Sequence, residues 1–222
     1  MWSPWNDFPR EMGFPARNGI VYNIQEFLDK INKFNGKSTV FTSLYAFSLI
    51  SENHINYESA KVKQLFFDFD NEGCLNCVRK FHNYLIEKDL MHCIFFSGGG
   101  FHVYVAVEYP NFLKNKKISV TNAQINLTDI LGFKIGINED SDVDAHIIGN
   151  VAQLVRVPNT FNLKRRVFCI PISSEDLKLS FEEIKEKAKT QNPKIYIYGK
   201  KFFDISPFDS EEIFKKEFDL TG

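Results

Sequence analysis

An α+β fold, a mixed and largely antiparallel sheet with flanking helices, is predicted by three features of the 222-residue chain. The run Leu65-Phe66-Phe67-Asp68-Phe69-Asp70 is aromatic and short enough to be one strand. Residues 74–88 then set Cys74, Cys77, Val78, Phe81 and Leu85 on one helical face. Finally, a return run over 93–97, three glycines (Gly98, Gly99, Gly100) and a strictly alternating run over 101–108 read as a hairpin, which makes the pairing antiparallel.

In chain order, residues 1–19, punctuated by Pro4, Pro9, Gly13, Pro15 and Gly19, read as an extended arm that packs on the body or stays mobile. Ile24, Phe27, Leu28 and Ile31 have helical spacing, and Asn35-Gly36 stops that helix. A strand over 40–47, a polar connection over 51–61 and the acidic strand over 62–70 follow. Residues 114–126 are polar and read as a loop carrying Lys114, Lys116 and Lys117, with a short helix over 127–133 ended by Gly132. Residues 135–142 are acidic and turn-rich; 143–148, 154–157 and 167–172 are short extended pieces. A helix over 180–189 has Glu182 and Glu183 near its start and lysines near its end, as the helix dipole favours. An edge strand over 194–198 and an amphipathic tail over 203–222 complete the reading. The chain thus divides into an arm (1–19), a main domain (20–175) and an accessory element (176–222) packed on that same domain.

The formal net charge of −1 argues against a wholly basic surface, so any nucleic-acid contact is confined to a local groove. Cys74, Cys77, Cys93 and Cys169 in a chain without a secretory start suggest reduced thiols and a cytoplasmic setting. No stretch is apolar and long enough for a membrane span. Most of the 23 phenylalanines belong to the core.

On a strand side chains alternate, so Phe66, Asp68 and Asp70 share one face and Leu65, Phe67 and Phe69 the other. Two like charges about 4 Å apart repel by roughly 4 kcal/mol at an effective dielectric of 20, so such a pair shares a proton or holds a cation. Carboxylate oxygens suit Mg²⁺ or Mn²⁺. On the same face or its rim lie Ser97 through His102, with His102 pointing away from the core, and the run from Asp144 to Arg166. That run gathers Arg156, Lys164, Arg165 and Arg166.

These residues resemble the archaeo-eukaryotic primase superfamily, the catalytic domains of small primase subunits and of plasmid or viral primase-polymerases. The matching motifs are Phe66-Phe67-Asp68-Phe69-Asp70, then Ser97-Gly98-Gly99-Gly100-Phe101-His102, then Asp144. The segment Arg156-Val157-Pro158-Asn159-Thr160-Phe161-Asn162-Leu163-Lys164 is similar to the Arg-x-Pro-Gly-Thr-x-Asn-x-Lys run of plasmid-type members, with Asn159 where Gly is usual. Asp142 competes with Asp144 as third carboxylate, and the helical domain that often follows in plasmid enzymes has no room.

The resemblance implies a primase-polymerase (RRM-like) catalytic core and template-dependent nucleotidyl transfer by a two-metal carboxylate mechanism, with Mg²⁺ or Mn²⁺ held by Asp68, Asp70 and Asp144. It implies nucleotide contacts from Ser97, Gly99, Gly100, His102, Arg156, Asn162 and Lys164. Backbone N–H groups of a glycine turn can approach phosphate closely, and an arginine supplies a fork where a lysine supplies a point charge. Arg165 and Arg166 are read as template contacts or plain surface, and Lys116, in a lysine cluster that reads as a solvated loop, as a further candidate for template contact. The partners implied are nucleoside triphosphates and a single-stranded DNA template, with room for a larger primase subunit or helicase and no membrane. Cys74-x-x-Cys77 with His82, His92 or Cys93 invites a structural zinc; both cysteines fall on the apolar helix face and no second CxxC exists, so zinc is not expected. Two other functions compete. A haloacid-dehalogenase-like phosphatase also uses Asp-x-Asp after an apolar strand, but needs a helical crossover after Ser97 rather than a hairpin. An inactive single-strand-binding replication subunit would keep the fold without reason to hold mutually repelling acids.

Overall fold

The computed structural model describes residues 2–51, 54–109, 115–138 and 140–210, and its centre is the strand that the aromatic run predicts. β1 (Arg10–Gly13) and β2 (Arg17–Val21) form an antiparallel hairpin, α1 (Ile24–Phe34) follows, and β3 (Phe41–Ser43) returns to β1. Two short pairs, β4 (Ala46–Phe47) with β7 (Ala60–Lys61) and β5 (Ile50–Ser51) with β6 (His54–Ile55), lead into β8 (Gln64–Asp70). Then come α2 (Leu75–Glu87), β9 (His92–Phe96), β10 (Gly100–Glu108) and α3 (Lys116–Ile130). β11 (Ile135–Gly136) pairs in parallel with β12 (Val143–Asp144), and β13 (Leu154–Arg156) pairs with β3. β14 (Phe161–Asn162) and β15 (Val167–Phe168) form a hairpin, followed by β16 (Ile170–Pro171), α4 (Phe181–Lys187) and β17 (Phe203–Asp204).

Two sheets result. The central one is antiparallel throughout, β10 pairing with β8 and β9 and β9 with β16, except that β17 joins the end of β10 in parallel. The smaller one has the order β13-β3-β1-β2. This is the mixed, largely antiparallel α+β architecture expected, with the glycine hairpin between β9 and β10 where predicted.

The alternation along β8 separates core from site. Phe67 and Phe69 face α2 and the segment after α3, with ring centroids 4.8 and 5.9 Å from Phe81, and Phe69 5.7 Å from Phe133. Each such buried ring contributes about 1.5–3 kcal/mol. On the opposite face Phe66, Asp68 and Asp70 lie across the ladder from Tyr104, His102 and Gly100. Trp5 covers the lower part of this face, edge-on to Phe95 and Tyr104 at 5.1 and 5.2 Å. Its upper part is left to a cleft whose far wall is the small sheet.

Four expectations need correction. The N-terminal arm does pack on the body, but as sheet rather than as extended chain: Gly13 and Pro15 fall at the turn of the β1–β2 hairpin, while Pro4 and Pro9 precede it and Gly19 lies within β2. Buried Arg10 fastens it, donating to the carbonyls of Asp7 and Ser43 at 2.7 Å and to that of Pro4. The strand expected over 40–47 splits at Leu44-Tyr45, because β3 and β4 serve different sheets. The polar segment after Lys114, expected as a loop, is the start of α3; Lys114 itself lies outside the described residues. Asn115 caps that helix by accepting from Ile118 N–H. Its buried polar side chains donate within the helix or to neighbours: Ser119 to Asn115 O, Thr121 to Lys117 O, Asn122 to Phe208 O and Gln124 to Phe66 O, with Asn122 Oδ1 alone among these left without a partner. A helix buried on most sides carries no polar–apolar period to read. Lastly, 194–198 is not an edge strand; Tyr198 makes a single bridge to His92, and β17 takes the edge further on. Of the tail over 203–222, residues beyond 210 lie outside the described residues.

Candidate active site

Asp68 and Asp70 leave β8 on the cleft side, and β12, packed beside β8, delivers Asp144. One carboxylate oxygen from each of the three lies within 4.8 Å of the others. Asp144, not Asp142, completes the cluster. Asp142 is turned away, accepting Lys134 N–H at 2.8 Å and facing the Cys77 thiol at 3.1 Å, which ties the 134–142 turn to α2. Asp144 also accepts from His146 N–H and from His146 Nδ1, both at 2.9 Å.

A residue that sequence reasoning missed holds this register. Gln124 of α3 donates to Phe66 O on β8 at 2.7 Å and accepts Gly149 N–H at 2.7 Å, clamping the strand of two acids to the loop after the third. Gly149 must be glycine: φ is +65° and a Cβ there would overlap Thr121 Oγ1.

The electrostatics are those of crowded acids. Burial and then the charges of Asp70 and Asp144 push the Asp68 carboxyl well above the carboxylate range, with Arg156 acting the other way. Burial and Asp144 raise Asp70, opposed by Arg165. His102, 6 % exposed, faces the cleft from its floor rather than its rim. Burial and the adjacent Arg156 hold its pKa down to about 3, so the ring is neutral. Its Nε2 lies 3.6 Å from Asp68 Oδ1, beyond hydrogen-bond reach. Arg156, cross-strand from Phe41, sets its guanidinium 5.1 Å from that ring.

Three buried polar atoms here have no protein partner: Asp68 Oδ1, His102 Nδ1 and Arg156 Nη1. Together with Asp70, Ser97, Gly99, Asn162, Lys164 and Arg165 these residues line one depression of ≈ 420 Å³, a volume in the range of small-molecule sites. An acceptor, a ring nitrogen and a cationic donor left open at one spot are what a polar ligand would satisfy. The donor set, three carboxylates with one buried oxygen orphaned, also fits Mg²⁺ or Mn²⁺.

The other candidates divide. Gly98 takes φ +102°, and a Cβ on Gly99 would press on the Arg165 guanidinium, so the glycine turn is packed under that side chain. Gly100 does not line the depression; a Cβ there would overlap Phe69 O, so its role is to let β10 approach β8. Ser97 donates to Gly100 O, and Asn162 donates to Ser97 O at 2.9 Å while accepting Arg165 N–H. Asn162 is therefore a positioning residue for the turn. Arg166 is exposed at φ +59° in the β14–β15 turn and lines none of these walls. Lys116 lies apart, in a different depression with Trp2, Tyr109 and Phe202.

The residues weighed for zinc are engaged separately. Cys74 Sγ lies 2.8 Å from Asn71 O, whereas His82 and His92 bond each other at 2.8 Å. Ser97 leads through its turn straight into an antiparallel strand, not the crossover helix a dehalogenase-like phosphatase needs. No helix among the described residues is long and apolar enough to cross a membrane.

No protein-family profile matches the chain, and no curated protein matches its sequence. Among solved structures it is similar to the polymerase domain of Mycobacterium tuberculosis Ligase D in complex with DNA, at 16% identity and a TM-score of 0.51, covering 83% of this chain and 71% of that one. At that identity the likeness speaks to fold alone, and the fold it shows is that of this polymerase domain.

Proposed function

We propose that the protein is a template-dependent nucleotidyltransferase of the primase-polymerase kind, joining a nucleoside triphosphate to a 3′-hydroxyl on single-stranded DNA. The observation that carries this reading is the convergence of three open polar atoms, on Asp68, His102 and Arg156, beside a three-carboxylate cluster. Such a site asks for a ligand bearing both negative charge and hydrogen-bond acceptors, together with cations. A nucleoside triphosphate with a divalent metal is both. The likeness to a polymerase domain supports the same reading from the fold.

In this account Asp68, Asp70 and Asp144 would hold divalent metal. When bound, such metal lowers the pKa of an attacking hydroxyl and offsets charge on departing pyrophosphate. The chain's own groups do the rest. Neutral His102 donates one N–H to phosphate, and Arg156, desolvated against Phe41, offers a fork of donors that a lysine could not. Lys164, exposed at the mouth, adds a point charge, and the N–H groups of the 98–99 turn approach phosphate closely. Arg166 remains available to a template backbone. The small sheet shields the reacting groups from water on one side.

The test is incorporation of labelled ribo- and deoxynucleotides on a single-stranded template, with Mg²⁺ or Mn²⁺, with and without primer. Asp70→Ala should lower incorporation by on the order of 10³-fold or more while leaving the fold intact. A variant that still made product at the wild-type rate would remove the assignment.

A further inference from the structure

A depression of ≈ 620 Å³, larger than the acid cleft, lies at the other end of the central sheet. Val62 and Lys63 of its wall precede β8, which ends in Asp70; Val107 and Glu108 end β10, on which His102 comes near the start. At about 3.4 Å per residue, Val107 stands roughly 17 Å along β10 from His102, so a small occupant here stays clear of the acids. Three aromatic rings, Trp2, Tyr109 and Phe202, share the wall with Lys61, Lys63 and Lys116. Phe202 is 46% exposed, a large ring left in solvent. Trp2 Nε1 and Tyr109 Oη are buried polar atoms with no protein partner. An indole nitrogen only donates; burial and then Asp209 push the Tyr109 hydroxyl up to about 12, so it too keeps its proton. Lys116, its Nζ 5.9 Å from the Tyr109 ring centroid, makes no ion pair among the described residues.

Such a wall asks for an occupant that is apolar in one part and, in another, accepts hydrogen bonds and carries negative charge. How much charge is set by what the lysines already do. Lys63 is held by Asp7 at 2.7 Å, Lys61 donates to Phe8 O at 3.2 Å, and Glu108 adds a negative charge of its own. The positive excess is therefore small. It suits one or two carboxylates, whereas a nucleic-acid strand presents a phosphate at every nucleotide and is tracked by a row of cations. We propose that this depression docks a short acidic segment of a partner protein, with one large apolar side chain laid against Trp2, Tyr109 and Phe202 and a carboxylate set on Lys116. The site goes beyond the nucleotidyl-transfer reading and does not depend on it. Aromatic rings give contact area at low cost in side-chain ordering, and they anchor protein interfaces more often than other residues do. The partner's carboxylate supplies the counter-ion that this chain does not give Lys116.

The experiment uses the whole chain and fluorescence anisotropy. The probes are short labelled peptides, each with one phenylalanine, tryptophan, leucine or isoleucine among aspartates, and a labelled single-stranded oligothymidylate. At least one peptide should bind the wild type with a Kd below about 100 µM. Phe202→Ala should weaken that peptide about tenfold, while Phe202→Leu, which keeps an apolar surface, should cost less than about threefold. Lys116→Ala should weaken it about fivefold, and this effect should vanish when the aspartates are replaced by asparagines. The melting temperature and the affinity for oligothymidylate should match wild type in all three variants, because both side chains lie at the surface and away from the acids. If no peptide bound below about 1 mM, or if the peptide bound these variants as tightly as wild type, the proposal would fall. It would fall equally if Phe202→Ala and Lys116→Ala weakened oligothymidylate and left the peptide unaffected, for the depression would then belong to nucleic acid.

Discussion

Two buried histidine clusters sit on this fold, and they are built on opposite principles. At one end of the central sheet His82, His92, Ser174 and Tyr198 form a closed set. The Leu90 carbonyl can only accept, so His92 Nδ1 carries the proton; His92 Nε2 then accepts from His82 Nδ1, and His82 Nε2 accepts from Ser174 Oγ. Ser174 N–H in turn donates to the Tyr198 hydroxyl. Every ring nitrogen is used, so the set fastens α2, β9 and the 198 segment together. At the other end buried His102 and half-buried Asp68 and Arg156 leave one buried atom each unpaired. The satisfied cluster is what a fold needs, and the unsatisfied one is what a ligand needs.

Substitutions can break or sharpen this contrast. The largest effect is expected at the acids: Asp68→Asn should abolish incorporation, yet raise the metal-free melting temperature, since it removes a crowded buried charge. Mn²⁺ at about a hundred times its Kd should stabilise the wild type by about 2.7 kcal/mol and the variant far less. Differential scanning fluorimetry with and without metal reads both. Next, the two histidines should separate cleanly. His92→Ala strands the His82 N–H and opens a cavity, costing about 2–4 kcal/mol in urea unfolding with the nucleotide KM unchanged. His102→Ala should raise the nucleotide KM about tenfold at little cost in stability.

The pH response follows from the directions of the shifts. Burial holds His92 down to about 4, so below its ordinary 6.5 the unfolded chain binds a proton that the folded chain refuses. Stability should fall as pH drops from 6.5 toward 4, by on the order of 3 kcal/mol from His92. Asp68 and Asp70, raised in the fold, act oppositely in metal-free protein. Their contribution is fullest in acid and is lost as pH rises through their folded values. Unfolding curves from pH 4 to 8 should therefore steepen on the acid side in Asp70→Asn and flatten there in His92→Ala. The smallest effect is expected for Lys116→Ala, whose side chain lies away from the acid cleft; its nucleotide KM should stay within about twofold of wild type.

Much of the central sheet was legible because its signals are local. Alternation assigned Phe66, Asp68 and Asp70 to one face, and three glycines followed by an alternating run announced the hairpin that carries His102. Ser180 with Glu183 makes the capping box behind the predicted α4. What escaped was long-range. Arg10 gives no hint in sequence that it will bond carbonyls from Pro4 to Ser43, so the N-terminal hairpin read as an arm. α3 escaped because its polar residues look like loop until the partners of Ser119, Asn122 and Gln124 are known. The choice between Asp142 and Asp144 likewise waited for Cys77 and the Lys134 amide, which claim the former.

The Gln124 clamp has a consequence for how damage to this protein would present. Because one amide spans the two strands of chain that supply the acids, shortening it should loosen their spacing while every acid remains in place. A selection for inactive variants would therefore return positions on α3 and at Gly149 that never meet nucleotide or DNA. Such variants would pass an inventory of site residues and still fail at metal uptake, a defect visible in a metal titration before any turnover is assayed.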